Sequence, residues 1–346
     1  MLTMTAMLWL GFLFGLTTAN LPEPTLTRYE FSQRLMGISF DISVYASDET
    51  VANEAAEAAY RRIRELNAIF SDYEPDSELN RLCKTAGTGR AIPVSRELWE
   101  IILASVALSE KSEGEFDITV GPLIRLWRKA RRAKQLPDVE QIAAARSLVG
   151  YKLIKVDHQA RTVELTKAGM QLDLGGIAVG YACDDVLKIF QQRKLTRVMI
   201  DGSGDILVGE PPPDQAGWII GIAPATPDGP PSRQLSLKNA AVSTSGDVFQ
   251  HIEINGVRYS HIVDPKTGLG ITDRSTVVVV AKTCLAADAW STTVSVLGPE
   301  RGIKGLLESH PEAAALIIRT TAKQPLPETV ESPGLQKYLA KGVSDK

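Results

Sequence analysis

Leu172-Asp173-Leu174-Gly175-Gly176-Ile177-Ala178-Val179-Gly180-Tyr181 reads as the end of a strand that turns through two glycines into a helix. Bare backbone at such a junction can approach a phosphate closely, and the free amides of a helix N-terminus favour anions. The same glycine pair is also the ordinary punctuation of a turn that needs positive φ. On this stretch alone both readings stand.

Outward from it, the chain before Gly150 is rich in helix. Ile38, Phe40, Ile42 and Val44 alternate with Ser39, Asp41 and Ser43, the period of a half-buried strand, which is expected to open the mature domain. From Val51 to Phe70, the residues Ala55, Ala59, Ile63, Leu66 and Phe70 recur at spacings of three and four and share one helical face. Leu98, Ile101, Ile102 and Leu108 predict a second helix from Ser95 to about Ser112. Asp138 and Gln141, at capping-box spacing, predict a third that Gly150 stops.

After Gly150 the texture changes to short β-branched runs: Leu153 to Val156, Thr162 to Leu165, Arg197 to Ile200, Trp218 to Ile222 and Val277 to Val280. Phe249 to Ile254, then Asn255-Gly256, then Val257 to Ile262 predict a hairpin, because Asn-Gly tolerates the positive φ of a tight turn. Proline and glycine crowd residues 209 to 231 and mark a surface loop. The first half therefore reads as helix-rich and the second as mostly sheet, a division that fits an α+β fold without requiring it.

With 346 residues, 44% of them hydrophobic and 23% charged, the chain can bury a sizeable core. A net charge of −3 and no long basic run argue against nucleic acid as a partner. The first 19 residues carry no charge and hold an apolar run from Met7 to Leu16 before Thr17-Thr18-Ala19. This pattern predicts a cleaved export signal and a periplasmic protein, an uncleaved anchor being the alternative. A domain over residues 20–330 and a polar tail over 331–346 should follow. Cys83, Cys183 and Cys284 lack metal or redox spacing and read as small buried side chains.

Three groups could carry chemistry. Asp288 and Thr292 lie four residues apart in a predicted helix, so carboxylate and hydroxyl share a face and suit Mg²⁺, or else belong to a solvated helix surface. His261 precedes Asp264-Pro265-Lys266-Thr267-Gly268, a stretch of turn chemistry, and either relays a proton or holds structure. Asp201-Gly202-Ser203-Gly204-Asp205 is a second glycine-rich turn that matches neither dinucleotide fingerprint.

Taken in order, eight blocks resemble the ApbE family of FAD:protein FMN transferases. They are Met36-Gly37, Ser71-x-Tyr73 with Pro75-Asp76-Ser77-Glu78, Phe116 to Leu123, Leu172 to Tyr181, Gly204-Asp205, Ser243 to Asp247, Ser260 to Gly268 and Ala287 to Thr292. The resemblance implies a mixed architecture of sheets flanked by helices with an FAD cleft and one Mg²⁺. It further implies metal ligation by the Gly176 carbonyl, Asp288 and Thr292. FAD contacts would come from Met36, Tyr73, Glu115, Phe116, Asp117, Asp173, Val179 and Ile262. The implied reaction moves FMN from FAD to a Thr or Ser hydroxyl of an acceptor protein, with His261 and Asp288 as catalytic residues. A membrane-bound respiratory flavoprotein is the expected acceptor. An FAD pyrophosphatase or a non-catalytic flavin-binding protein would share most of these residues. Two departures from the family's pattern stand out: Val179 stands where many members have Lys or another charged residue, and Asp201-Gly202-Ser203-Gly204 replaces a more frequent Asn-Ala-Gly-Gly.

Overall fold

A computed structural model describes residues 25–222, 233–246, 250–321 and 326–340. The stretch expected to be an export signal, Pro230-Pro231, Asp247, Phe249 and residues 341–346 lie outside them. Among the described residues no helix is long and apolar enough to cross a membrane.

An antiparallel hairpin comes first, β1 (Thr27–Leu35) and β2 (Ile38–Ala46), joined by Met36 at φ 52° and Gly37 at φ 81°. The strand expected to open the domain at Ile38 is therefore the second. β1 escapes a pattern reading because it is a sheet edge: Tyr29, Phe31 and Leu35 are only partly buried, and polar residues stand between them.

Helix α1 (Glu49–Phe70) begins where the Asp48 carboxylate accepts the Val51 amide at 3.0 Å, and it buries Ala52, Ala55, Ala59, Ile63, Leu66 and Phe70. Then come α2 (Glu78–Cys83), β3 (Ile92–Pro93), α3 (Arg96–Lys111), α4 (Gly121–Ala133), α5 (Val139–Arg146), β4 (Ile154–Asp157) and β5 (Thr162–Leu165). The capping box expected for α5 does not form. Asp138 makes no side-chain cap hydrogen bond, and the helix stops at Arg146, short of Gly150. Ile142 and Ala145 instead hold α5 against a small satellite core.

The second half supplies α6 (Ala178–Gln192), β6 (Val198–Gly202), β7 (Asp205–Val208), β8 (Trp218–Ile222), β9 (Arg233–Leu237), β10 (Ala240–Gly246), β11 (His251–Ile254) and β12 (Val257–Ser260). It closes with β13 (Arg274–Ala281), α7 (Cys284–Leu297), α8 (Pro299–Ser309), β14 (Ala314–Thr320) and β15 (Glu328–Glu331). β11 and β12 pair across Asn255 at φ 52° and Gly256 at φ 75°, as the Asn-Gly step predicts.

Eight strands form one antiparallel sheet, ordered β1-β2-β6-β7-β10-β13-β14-β15. Within β13, Val277 and Val279 join a core shared with α1, α6 and α7, while Val278 and Val280 join a second core with β8, β9 and Leu335. A strand covered on both faces reads as a continuous apolar run, not an alternation. Leu335 also corrects the expected polar tail. It is fully buried and Leu339 bridges to Leu235, so the fold extends to residue 340.

Antiparallel pairing gathers the functional segments. The Met36–Gly37 turn, the Ser203–Gly204 turn, the end of β10 at Gly246 and the start of β13 at Arg274 all fall at one end of the sheet. The segment bearing His261 connects the last two.

Candidate functional site

The site is built on the crossing of α6 and α7. A Cβ on Gly180 would lie 2.4 Å from the Cys284 carbonyl oxygen, so only glycine lets the helices approach this closely. Asp184 of α6 accepts the Cys284 and Leu285 amides at 2.8 and 3.0 Å, capping α7 from the neighbouring helix. This sets the register of α7. Asp288 then accepts the Gly180 amide at 2.9 Å, and Thr292 packs on Gly176, whose added Cβ would lie 3.0 Å from the Thr292 hydroxyl. The three residues expected to hold a metal thus meet at the start of α6. Asp288 is 4% exposed, which rules out the solvated-surface reading.

Electrostatics fit a cation at this point. Burial, followed by the charge of Asp205 and then that of Asp184, pushes the Asp288 carboxyl well above the ordinary carboxylate range. Among the described residues no basic side chain pairs with it. Nor do they hold a cluster of three His, Cys, Asp or Glu ligands. The available donors are mixed oxygens: a carboxylate, the Thr292 hydroxyl and the Gly176 backbone. Mg²⁺ accepts such a set when phosphate oxygens and water complete it. Ser291 supports the same helix face, bonding Ser243 at 2.9 Å and Ser245 at 2.7 Å.

The residues expected around FAD fall in neighbouring groups. Arg128 joins two of them: it pairs with Asp173 at 3.1 Å and with Asp72, and its guanidinium lies 4.1 Å from the Tyr73 ring centroid. Tyr73 is 72% exposed, free to meet a flat ligand. Glu115 pairs with Lys266 at 2.9 Å and Arg301 at 3.3 Å, which ties Phe116 and its neighbours to the turn after His261. The Ile118 carbonyl accepts the Asp173 amide at 2.8 Å. Val179 fills the bare face of Gly202, where a Cβ would lie 2.5 Å from its methyl. Met36 sits on the first hairpin turn, adjacent to the Ser203–Ser39 hydrogen bond of 3.1 Å. Ile262 is buried. Asp117 differs from the rest: its oxygens accept from the Thr119 amide and hydroxyl and the Tyr151 amide, which makes it the cap of a short turn.

His261 follows β12, and its Nδ1 lies 3.1 Å from the Gln250 carbonyl. A proton on Nδ1 donated to that carbonyl leaves the lone pair on Nε2, the tautomer a general base requires. The turn beside it is braced by hydrogen bonds. Asp264 accepts the Lys266 and Thr267 amides and the Thr267 hydroxyl, and Trp127 donates to the Gly268 carbonyl at 2.8 Å.

The ApbE family model matches residues 36–317. The chain belongs to the ApbE family. Its relatives include an FAD:protein FMN transferase of Klebsiella pneumoniae (strain 342), 30% identical over 84% of each chain. Another, of Escherichia coli (strain K12), is 30% identical over 78% of each chain. The flavin transferase ApbE from Vibrio cholerae superposes with a TM-score of 0.81 at 27% identity, over 91% of this chain and 100% of that one. The ApbE protein of Thermotoga maritima gives 0.80 at 28% identity, over 91% and 100%. The mixed α+β architecture is therefore the family's.

Three residues of this ApbE site were not legible beforehand. Arg128 lies among several basic residues of α4, and nothing local marks the one that turns inward. Asp205 belongs to the second glycine-rich turn and Asp184 follows Tyr181 by three residues, but the role of each depends on α7 lying alongside. Two expectations follow. Burial raises Asp184 to about 6 and Asp205 to about 7. Unfolded Asp titrates near ~4, so between these values the folded chain holds more protons than the unfolded one. The stability these groups contribute is therefore complete below ~4 and is lost as pH rises through 6 and 7. In chelator, Tm should fall more between pH 5 and pH 8 for the native chain than for Asp205→Asn. Equal falls would refute the assignment. Second, Val179→Lys should keep or tighten FAD affinity in a calorimetric titration, since it adds a cation where phosphates are expected. A clear loss would count against placing Val179 at the ligand.

Proposed function

We infer that the chain is an FAD:protein FMN transferase that uses Mg²⁺ and modifies a Thr or Ser hydroxyl of an acceptor protein. The single observation that carries this reading is the meeting of Asp288, Thr292 and Gly176 at the N-terminus of α6. Gly176, Asp288 and Thr292 would hold the metal, which supplies neutralisation of charge on the pyrophosphate. The amides that open α6 favour the same phosphates. Tyr73 and Phe116 offer apolar faces to the flat ring systems, and Asp173 and Glu115 offer hydrogen-bond acceptors. His261 Nε2 takes the proton of the attacking hydroxyl. That oxygen bonds to the FMN-side phosphorus, the bond from phosphorus to the AMP oxygen breaks, and AMP leaves with the electron pair.

The uncharged leader supports export to the periplasm. A membrane-bound respiratory flavoprotein is the acceptor class that fits that location. The test is to incubate the mature chain with FAD, Mg²⁺ and such an acceptor domain and weigh the acceptor. An FMN-sized adduct with AMP release supports transfer. AMP with free FMN and no adduct on any Thr- or Ser-bearing acceptor would replace transfer by hydrolysis. Bound FAD without AMP would leave a binding protein.

A further inference from the structure

Between Gly121 and Pro137 the chain carries six basic residues, Arg125, Arg128, Lys129, Arg131, Arg132 and Lys134, and no acid, although its net charge is −3. Cations in a last helical turn complement the helix dipole, but one or two serve that purpose. Arg128 is used internally, by Asp72 and Asp173. Lys129, Arg132 and Lys134 are exposed, and among the described residues none of them pairs with a carboxylate. Close by in the chain, Leu136 and Val139 are 39% and 82% exposed.

This surface adjoins the site. α4 lies between the Asp173 corner, which Arg128 reaches, and the turn after His261, which Trp127 reaches through the Gly268 carbonyl at 2.8 Å.

We propose that the exposed face of α4 and the connection to α5 dock an acidic, extended segment of the acceptor protein, next to the hydroxyl that receives FMN. The proposal rests on the transferase reading above. Charge complementarity selects the partner: unpaired ammonium and guanidinium groups attract carboxylates and steer encounter. An anionic membrane fits less well. The apolar side of α4, Leu123, Trp127 and Ala130, is already spent in the satellite core, which leaves Leu136 and Val139 as the only large apolar groups of this segment to enter a bilayer.

The test uses the full chain with FAD bound and a fluorescein-labelled twelve-residue peptide, rich in Asp and Glu around one Thr. A Lys-rich counterpart and phosphatidylglycerol vesicles serve as comparisons. The acidic peptide should bind in a salt-sensitive manner. The triple variant Lys129→Gln, Arg132→Gln, Lys134→Gln should weaken it by about tenfold or more while FAD affinity stays unchanged. Equal binding by the triple variant overturns the proposal, as does binding of vesicles in place of the peptide. Release of AMP from FAD, measured separately, reports on the transferase reading. A chain that binds the peptide through these residues yet never releases AMP sinks that reading and leaves the docking surface standing.

Discussion

Asp288→Ala will lower AMP release from FAD by about 10³-fold, the scale set by removing one preorganised electrostatic group from a reacting phosphate. Stability will move the opposite way. In the metal-free chain Asp288 is a buried carboxyl beside Asp205 and Asp184, pushed well above its ordinary range. Removing a buried acid that has no basic partner relieves desolvation and repulsion, so the variant in chelator should melt at or above the native chain. The native chain should gain Tm on adding Mg²⁺ and the variant should not. A variant that still gains Tm with Mg²⁺ would show that the ion binds elsewhere. This pairing of lost activity with retained fold separates a ligand from a structural residue.

Gly180→Val will damage the fold and the site together. Its first added carbon would lie 2.4 Å from the Cys284 carbonyl oxygen and 2.7 Å from the Leu285 Cα, both backbone atoms that no rotamer change can move. Overpacking of this kind costs about 3 kcal/mol, and for a chain this long that lowers Tm by about 4–5 °C. Separating the helices also draws the Gly180 amide off Asp288 and the α7 amides off Asp184. Turnover should therefore be lost even at temperatures where far-UV circular dichroism remains native. A native Tm with native turnover would mean that α6 and α7 do not cross here as described.

Local elements were legible where a short-range rule operates. The face of α1, the Asn255-Gly256 hairpin and the Asp264 turn each follow from spacing or from backbone preference within a few residues. β1 and the segment around Leu335 were not, because an edge strand and a single anchoring leucine carry little period. The capping box that the spacing of Asp138 and Gln141 predicts does not form. Its hydrogen bond is worth about 1 kcal/mol, which packing of Ile142 can outweigh.

The site divides along the same line. Residue type and spacing establish which chemical groups are present and in what order: a glycine pair opening a helix, Asp288 and Thr292 one turn apart, and His261 before a stretch of turn chemistry. Those are local facts, set by residue type and helical or strand period. Long-range packing sets which groups face one another. That Asp184 caps a helix a hundred residues away, that Asp205 opposes Asp288, and that Arg128 joins Asp72, Asp173 and Tyr73 are consequences of sheet order and of the close crossing at Gly180. Such contacts come from burying distant faces together, and no pattern within one segment encodes where its face will be covered.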